Sequence, residues 1–119
     1  MASSESRLRI TERKSVTCVE FMDRNILDEM NVQAISDEIG QLVDQADSPR
    51  MLISFANVDH LTSAALGALI TIRNKVKGKE GELRLADIDP QIYEVFEITR
   101  LTGLFNIHDS TDDALKAFG

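Results

Sequence analysis

The run Met51-Leu52-Ile53-Ser54-Phe55 constrains this chain more than any other segment. Four of its five residues are large and apolar, so it has no polar face to present to water. A strand of that kind is covered on both faces and sits in the middle of a sheet. It lies between two stretches with helical spacing. Upstream, Val32, Ile35, Ile39, Leu42, Val43 and Ala46 predict a helix over 31–47, stopped by Ser48-Pro49. Downstream, Leu66, Leu69, Ile70, Arg73 and Val76 form the stripe predicted for a helix that begins near Ser63 and ends at Gly78 and Gly81.

The rest of the chain extends this alternation. Residues 7–10 read as a short edge strand with Leu8 and Ile10 on one face. Residues 15–21 read as a second strand, with Val16, Cys18 and Glu20 pointing one way and Thr17, Val19 and Phe21 the other; the turn between the two falls around Arg13 and Lys14. Residues 82–86 form a strand with Leu83 and Leu85 on one side. Asp89-Pro90 opens a helix carrying Ile92, Val95 and Phe96, with Asp89 as N-cap and Pro90 in the first turn. A short strand over 104–107 precedes a last helix, capped by Ser110 or Thr111, that carries Ala114, Leu115 and Phe118. The order ββαβαβαβα implies an α/β domain with a mixed sheet of four to five strands and helices packed against it. Residues 1–6 are polar and read as a disordered tail, leaving one domain over 7–119, with no internal repeat or linker.

Charge and cysteine content narrow the function. The formal net charge is −7, and no dense basic cluster is present, which argues against nucleic acid as a partner. The densest basic stretch, Arg73, Lys75, Lys77 and Lys79, reads as a solvated helix face whose cations suit a helix C-terminus. The single cysteine, Cys18, sits in an apolar run and reads as a buried core thiol. No apolar stretch reaches membrane-spanning length and none resembles a leader, so membrane insertion is not expected and the cytoplasm is the expected location.

No enzyme or cofactor signature stands out. His60 and His108 lie far apart without metal-ligand spacing and read as solvated loop residues. Asp87 and Asp89 read as turn and cap residues ahead of metal ligands, and Asp109, Asp112 and Asp113 as a helix start. Phosphate-binding glycine loops and nucleophile elbows are lacking. The expectation is a protein without catalytic activity, cofactor or metal site. The segment that stands out is Val58-Asp59-His60-Leu61-Thr62-Ser63-Ala64-Ala65-Leu66-Gly67, which joins the central strand to a helix with small residues in its first turn. Thr62 and Ser63 place two hydroxyls at that helix N-terminus. They serve either as a cap or as a regulatory site where a helix end meets an anion.

These residues resemble the signature of the STAS family of anti-sigma factor antagonists, in which a strand leads into Asp-Ser-Ser/Thr-Gly-Leu-Gly and a helix. Aligning Leu66-Gly67 with the end of that motif puts Ser63 on the serine that is the family's phosphoacceptor, with Thr62 as the alternate. The stretch from Tyr93 to Ser110, followed by Asp113-Ala114-Leu115, is also similar to the family. The pattern departs at Thr62, which replaces the aspartate, at Ala64, which replaces the second hydroxyl, and at Ala65, which replaces the glycine. The resemblance implies a regulatory domain that binds a protein partner, an anti-sigma factor or serine kinase with an ATP-binding kinase fold, and that phosphorylation switches. The implied partner surface comprises Asp23, Arg24, Asn25, Asp59, His60, Thr62, Ser63 and Ala64. The departures leave a second expectation open, an unphosphorylated scaffold or accessory subunit of a stressosome-like or lipid-transport assembly. A response receiver is disfavoured, because Ala56-Asn57-Val58 supplies no phosphoacceptor aspartate after the central strand and the initial ββ order disagrees.

Overall fold

A computed structural model describes residues 8–21, 29–56, 58 and 62–118. Strands β1 (Leu8–Arg13) and β2 (Val16–Phe21) are followed by α1 (Glu29–Gln45), β3 (Arg50–Ser54), α2 (Ser63–Gly78), β4 (Glu82–Ala86), α3 (Pro90–Ile98), a 3-10 turn (Leu101–Gly103), β5 (Asn106–His108) and α4 (Thr111–Phe118). The expected order is thus observed. The five strands lie side by side in chain order, β1 antiparallel to β2 and each later neighbour parallel.

That order explains where the helices go. Parallel strands laid down one after another need crossovers of one hand, which places successive crossover helices on the same face. The larger core accordingly joins Ile35, Ile39 and Val43 of α1, Leu66, Leu69, Ile72 and Val76 of α2, and Ile92 and Phe96 of α3 to Val19, Ile53 and Leu85 of the sheet. Helix α4 is not a crossover between two of the five strands. Its Ala114, Leu115 and Phe118 pack on the opposite face against Val16, Leu52 and Ala86. The central strand is therefore covered on both sides, as its apolar run demands: Met51, Leu52 and Ile53 are all buried.

Several local expectations shift. The hairpin turn is Lys14-Ser15, not Arg13-Lys14, and both turn residues are left-handed, with φ 53° and 68°. A two-residue loop of that conformation matches the right-handed strand twist, and it extends β1 to Arg13. Ile10 pairs with Val19, but at the sheet edge it lies beyond the helices and stays 39% exposed, so only Leu8 enters the core. Helix α1 starts and ends about two residues earlier than its apolar spacing suggests. In α2 the buried stripe runs through Ala65, Leu66, Leu69, Ile72 and Val76, whereas Arg73 turns outward and donates from Nε to the Leu104 carbonyl at 2.8 Å. The last strand lies two residues later than expected because Leu101–Gly103 forms the 3-10 turn. The Asp89 cap holds: its carboxylate accepts from Gln91 N at 2.8 Å, with Pro90 in the first turn. Ser110 Oγ caps α4 by accepting from Asp113 N at 3.1 Å.

The basic stretch of α2 is tied to α1. Lys75 Nζ lies 3.0 Å from Asp44, and Lys79 Nζ donates to the carbonyls of Val43 at 3.3 Å and Asp44 at 2.8 Å. A cation thus meets the negative end of α1, whose own last turn carries no basic residue. Gly81 is needed where the chain re-enters the sheet. A Cβ there would sit 2.2 Å from the Pro49 carbonyl oxygen, the same oxygen that accepts from Glu82 N at 2.8 Å.

Candidate functional site

The site begins where β3 ends. Phe55 is fully buried and its N–H donates to the Ala86 carbonyl at 3.0 Å, while Val58, also buried, donates to the Phe55 carbonyl at 3.0 Å. These contacts hold the exit from β3 against the end of β4. Asp59, His60 and Leu61 lie outside the described residues, as do Asp23, Arg24 and Asn25.

The chain resumes at Thr62, extended at φ −96° and ψ 165°, whose Oγ1 accepts from Ala65 N at 3.1 Å. Thr62 is the N-cap. Its carbonyl accepts from Leu66 N at 3.2 Å and starts the helical ladder. Ser63 is the first helical residue, and Ser63 and Ala64 are exposed while Ala65 and Leu66 are buried. The two adjacent hydroxyls thus have different surroundings. The first satisfies the helix end, and the second faces outward from it. No acidic residue stands in the first turn of α2, so none of its own carboxylates offsets the positive helix end there.

Where β3 and β4 end lies a cluster the sequence did not disclose. Ser54, the last residue of β3, is the buried polar residue among those described, at 7% exposure. Its hydroxyl donates to the Asp87 carboxylate at 2.7 Å. The Thr111 hydroxyl donates to the same Asp87 oxygen at 2.6 Å, and Thr111 N donates to the other oxygen at 3.2 Å. Asp87 itself is left-handed, at φ 61°. It therefore works as a cap, but for α4 rather than for the turn beside it, and it ties the ends of β3 and β4 to that helix. Apolar patterning carries no signal for this. A serine in an otherwise apolar central strand was the available hint, because a buried hydroxyl demands a partner.

Two other expectations are corrected. His108 is not a loop residue: it lies half-buried in β5, with Nε2 3.0 Å from Arg84 Nη1. The guanidinium can only donate, so Nε2 is the acceptor. Arg84 also pairs with Glu82 and, with Arg50, lies over the Phe118 ring, at 5.2 and 5.5 Å from its centroid. Cys18 is not a fully buried core thiol. It is half-buried on the α4 face and lines a cavity beside that helix. Burial pushes its thiol pKa up, opposed by the nearby Arg13 charge and a hydrogen bond with Thr11.

The family model of the STAS domain matches residues 8–114. The chain belongs to the STAS domain family. It is 25% identical over 95 residues to BtrV of Bordetella bronchiseptica, a protein named as a candidate anti-sigma factor antagonist, covering 80% of this chain and 81% of that one. Among solved structures, an anti-sigma factor antagonist domain protein of Planctomyces limnophilus superposes with a TM-score of 0.85 at 21% identity, over 94% of this chain and 97% of that one. The phosphorylated form of the Bacillus cell-fate determinant SpoIIAA superposes with a TM-score of 0.69 at 17% identity, over 94% and 99%. These likenesses establish the single α/β STAS fold. Among the described residues, no helix of this STAS chain is long and apolar enough to cross a membrane.

Proposed function

We propose that this STAS chain is a protein-binding regulator that acts as an anti-sigma factor antagonist and is switched by phosphorylation of Ser63. The observation that carries the reading is the division of labour at the start of α2. Thr62 occupies the cap and Ser63 stands exposed beside it. A hydroxyl that is not needed to close the helix is available to a kinase. The likeness to BtrV, and the existence of a phosphorylated form of the structurally similar SpoIIAA, support the same direction.

The physical mechanism is local. A phosphate on Ser63 adds about −1.5 to −2 charges and three acceptor oxygens. At a helix N-terminus it meets the favourable end of the dipole, so it leaves the fold intact. What changes is the surface a partner meets. The unmodified form offers Ser63 and Ala64 as a small, uncharged contact, and the phosphorylated form fills that place with a dianion. The proposed partner is a protein with an ATP-binding kinase fold, which both docks here and supplies the phosphate; the proposed setting is the cytoplasm, and the chain catalyses nothing itself. Asp23, Arg24, Asn25, Asp59 and His60 are proposed to complete the docking surface.

The test is a tagged copy expressed in native cells, recovered with its partners and weighed intact. Ser63→Ala should keep the partner and lose the added mass of one phosphoryl group, and Ser63→Asp should release the partner by at least about tenfold in affinity. Retention of the partner by Ser63→Asp, with no phosphate on Ser63 or Thr62, would favour an unphosphorylated scaffold.

A further inference from the structure

The face of the sheet that carries α4 is only partly covered. Helix α4 has eight residues, and its buried side chains reach Val16, Leu52 and Ala86 but leave the outer part of the β1–β2 hairpin open. A cavity of about 300 Å³ remains there, between the hairpin and the first turn of α4. That is the lower end of the size range for small-molecule sites.

Its lining is ordered by charge. Cys18 and Leu52 supply a weakly polar and apolar floor. At one end stands Arg13, whose charge is felt by the Cys18 thiol and which makes no ion pair among the described residues. At the other stand Glu20, Asp87 and Asp112. Glu20 has a loose, exposed contact with Arg9 at 3.8 Å, and neither aspartate has an ion pair among the described residues. Strand register sets the separation. Arg13 lies opposite Val16, and Glu20 lies beside Ser54, which bonds to Asp87. Four residues of strand separate the two levels, about 13 Å.

From this we infer that the cavity is a binding site for a short zwitterion, a small ω-amino acid with its carboxylate on Arg13 and its ammonium among Glu20, Asp87 and Asp112. Each half of the lining excludes an alternative. Three carboxylates repel phosphates and other polyanions, and Arg13 repels the second ammonium of a diamine. The weakly polar floor suits a methylene chain between the two charges. Ligand and partner sites are separate: the cavity lies on the α4 side of the sheet and does not include Ser63.

The probe is 5-aminopentanoate, titrated into the isotope-labelled full chain while backbone amide shifts are followed. Pentanoate and 1,5-diaminopentane serve as the one-ended controls. Saturable shifts are expected at Thr11, Cys18 and Thr111, with the zwitterion binding at least about tenfold tighter than either control. Arg13→Ala, at an exposed position, should abolish the preference over the diamine. Asp112→Asn should narrow the preference over pentanoate. Absence of saturable shifts at these residues overturns the inference. So does equal or tighter binding of a one-ended control, or a preference indifferent to Arg13→Ala. None of these outcomes bears on Ser63, so the regulatory reading stands or falls separately.

Discussion

Thr62→Ala and Ser63→Ala remove the same kind of group from adjacent positions, yet the structure predicts unequal consequences. The Thr62 hydroxyl accepts from Ala65 N, and its loss leaves one of the free N–H groups of the α2 first turn without its protein partner. Replacing such a cap with alanine costs about 1 kcal/mol. For 119 residues the entropy of unfolding at the midpoint is about 0.25 kcal/mol per kelvin, so that loss lowers Tm by about 4 °C. Ser63 is exposed and is not the cap, so Ser63→Ala should move Tm by less than about 1 °C; alanine also suits a helix interior better than serine. Ser63→Asp should be neutral or slightly stabilising, by up to about 1 kcal/mol, because a carboxylate there meets the positive helix end. Calorimetry on the three variants at one pH and salt concentration reads all of this. A fall of about 4 °C for Ser63→Ala, with none for Thr62→Ala, would refute the assignment of the cap and remove the argument that Ser63 is free for modification.

Asp87→Ala should cost about 2–4 kcal/mol, read by urea unfolding, because it strips the acceptor from Ser54, Thr111 Oγ1 and Thr111 N at once and strands a buried hydroxyl; a loss under about 0.5 kcal/mol, the level of an ordinary surface substitution, would mean the cluster is not structural. Gly81→Ala should lower stability by about 2 kcal/mol or more, since its Cβ would fall 2.2 Å from the Pro49 carbonyl oxygen and neither strand start can move without losing the Glu82 bond. A melting temperature equal to that of the parent would contradict that packing.

Most of the architecture was legible in the residues themselves. Hydrophobic periodicity is a local property, and it marked the strands, the helices, the ββ start and the central position of β3, because a run such as Met51-Leu52-Ile53 has only one low-energy environment. Capping chemistry is equally local, which is why the residues themselves mark the helix starts at Asp89-Pro90 and near Ser63. The sequence also narrowed the proposed regulatory hydroxyl to two neighbours, and the resemblance to the family motif pointed to Ser63. It could not divide their roles, since Thr62 and Ser63 are both competent caps and the difference of one residue in the helix start decides which is used. What only the tertiary structure decided depends on groups far apart in the chain. Ser54, Asp87 and Thr111 meet because β3, β4 and α4 end at one place. His108 leaves solvent because β5 sets it beside Arg84, and Ile10 stays in solvent because the helices stop short of the edge strand. The side taken by α4, and with it the open hairpin face between Arg13 and Asp112, follows from packing rather than periodicity: α4 joins no two of the five strands, and it packs on the apolar sheet surface that the crossover helices leave uncovered.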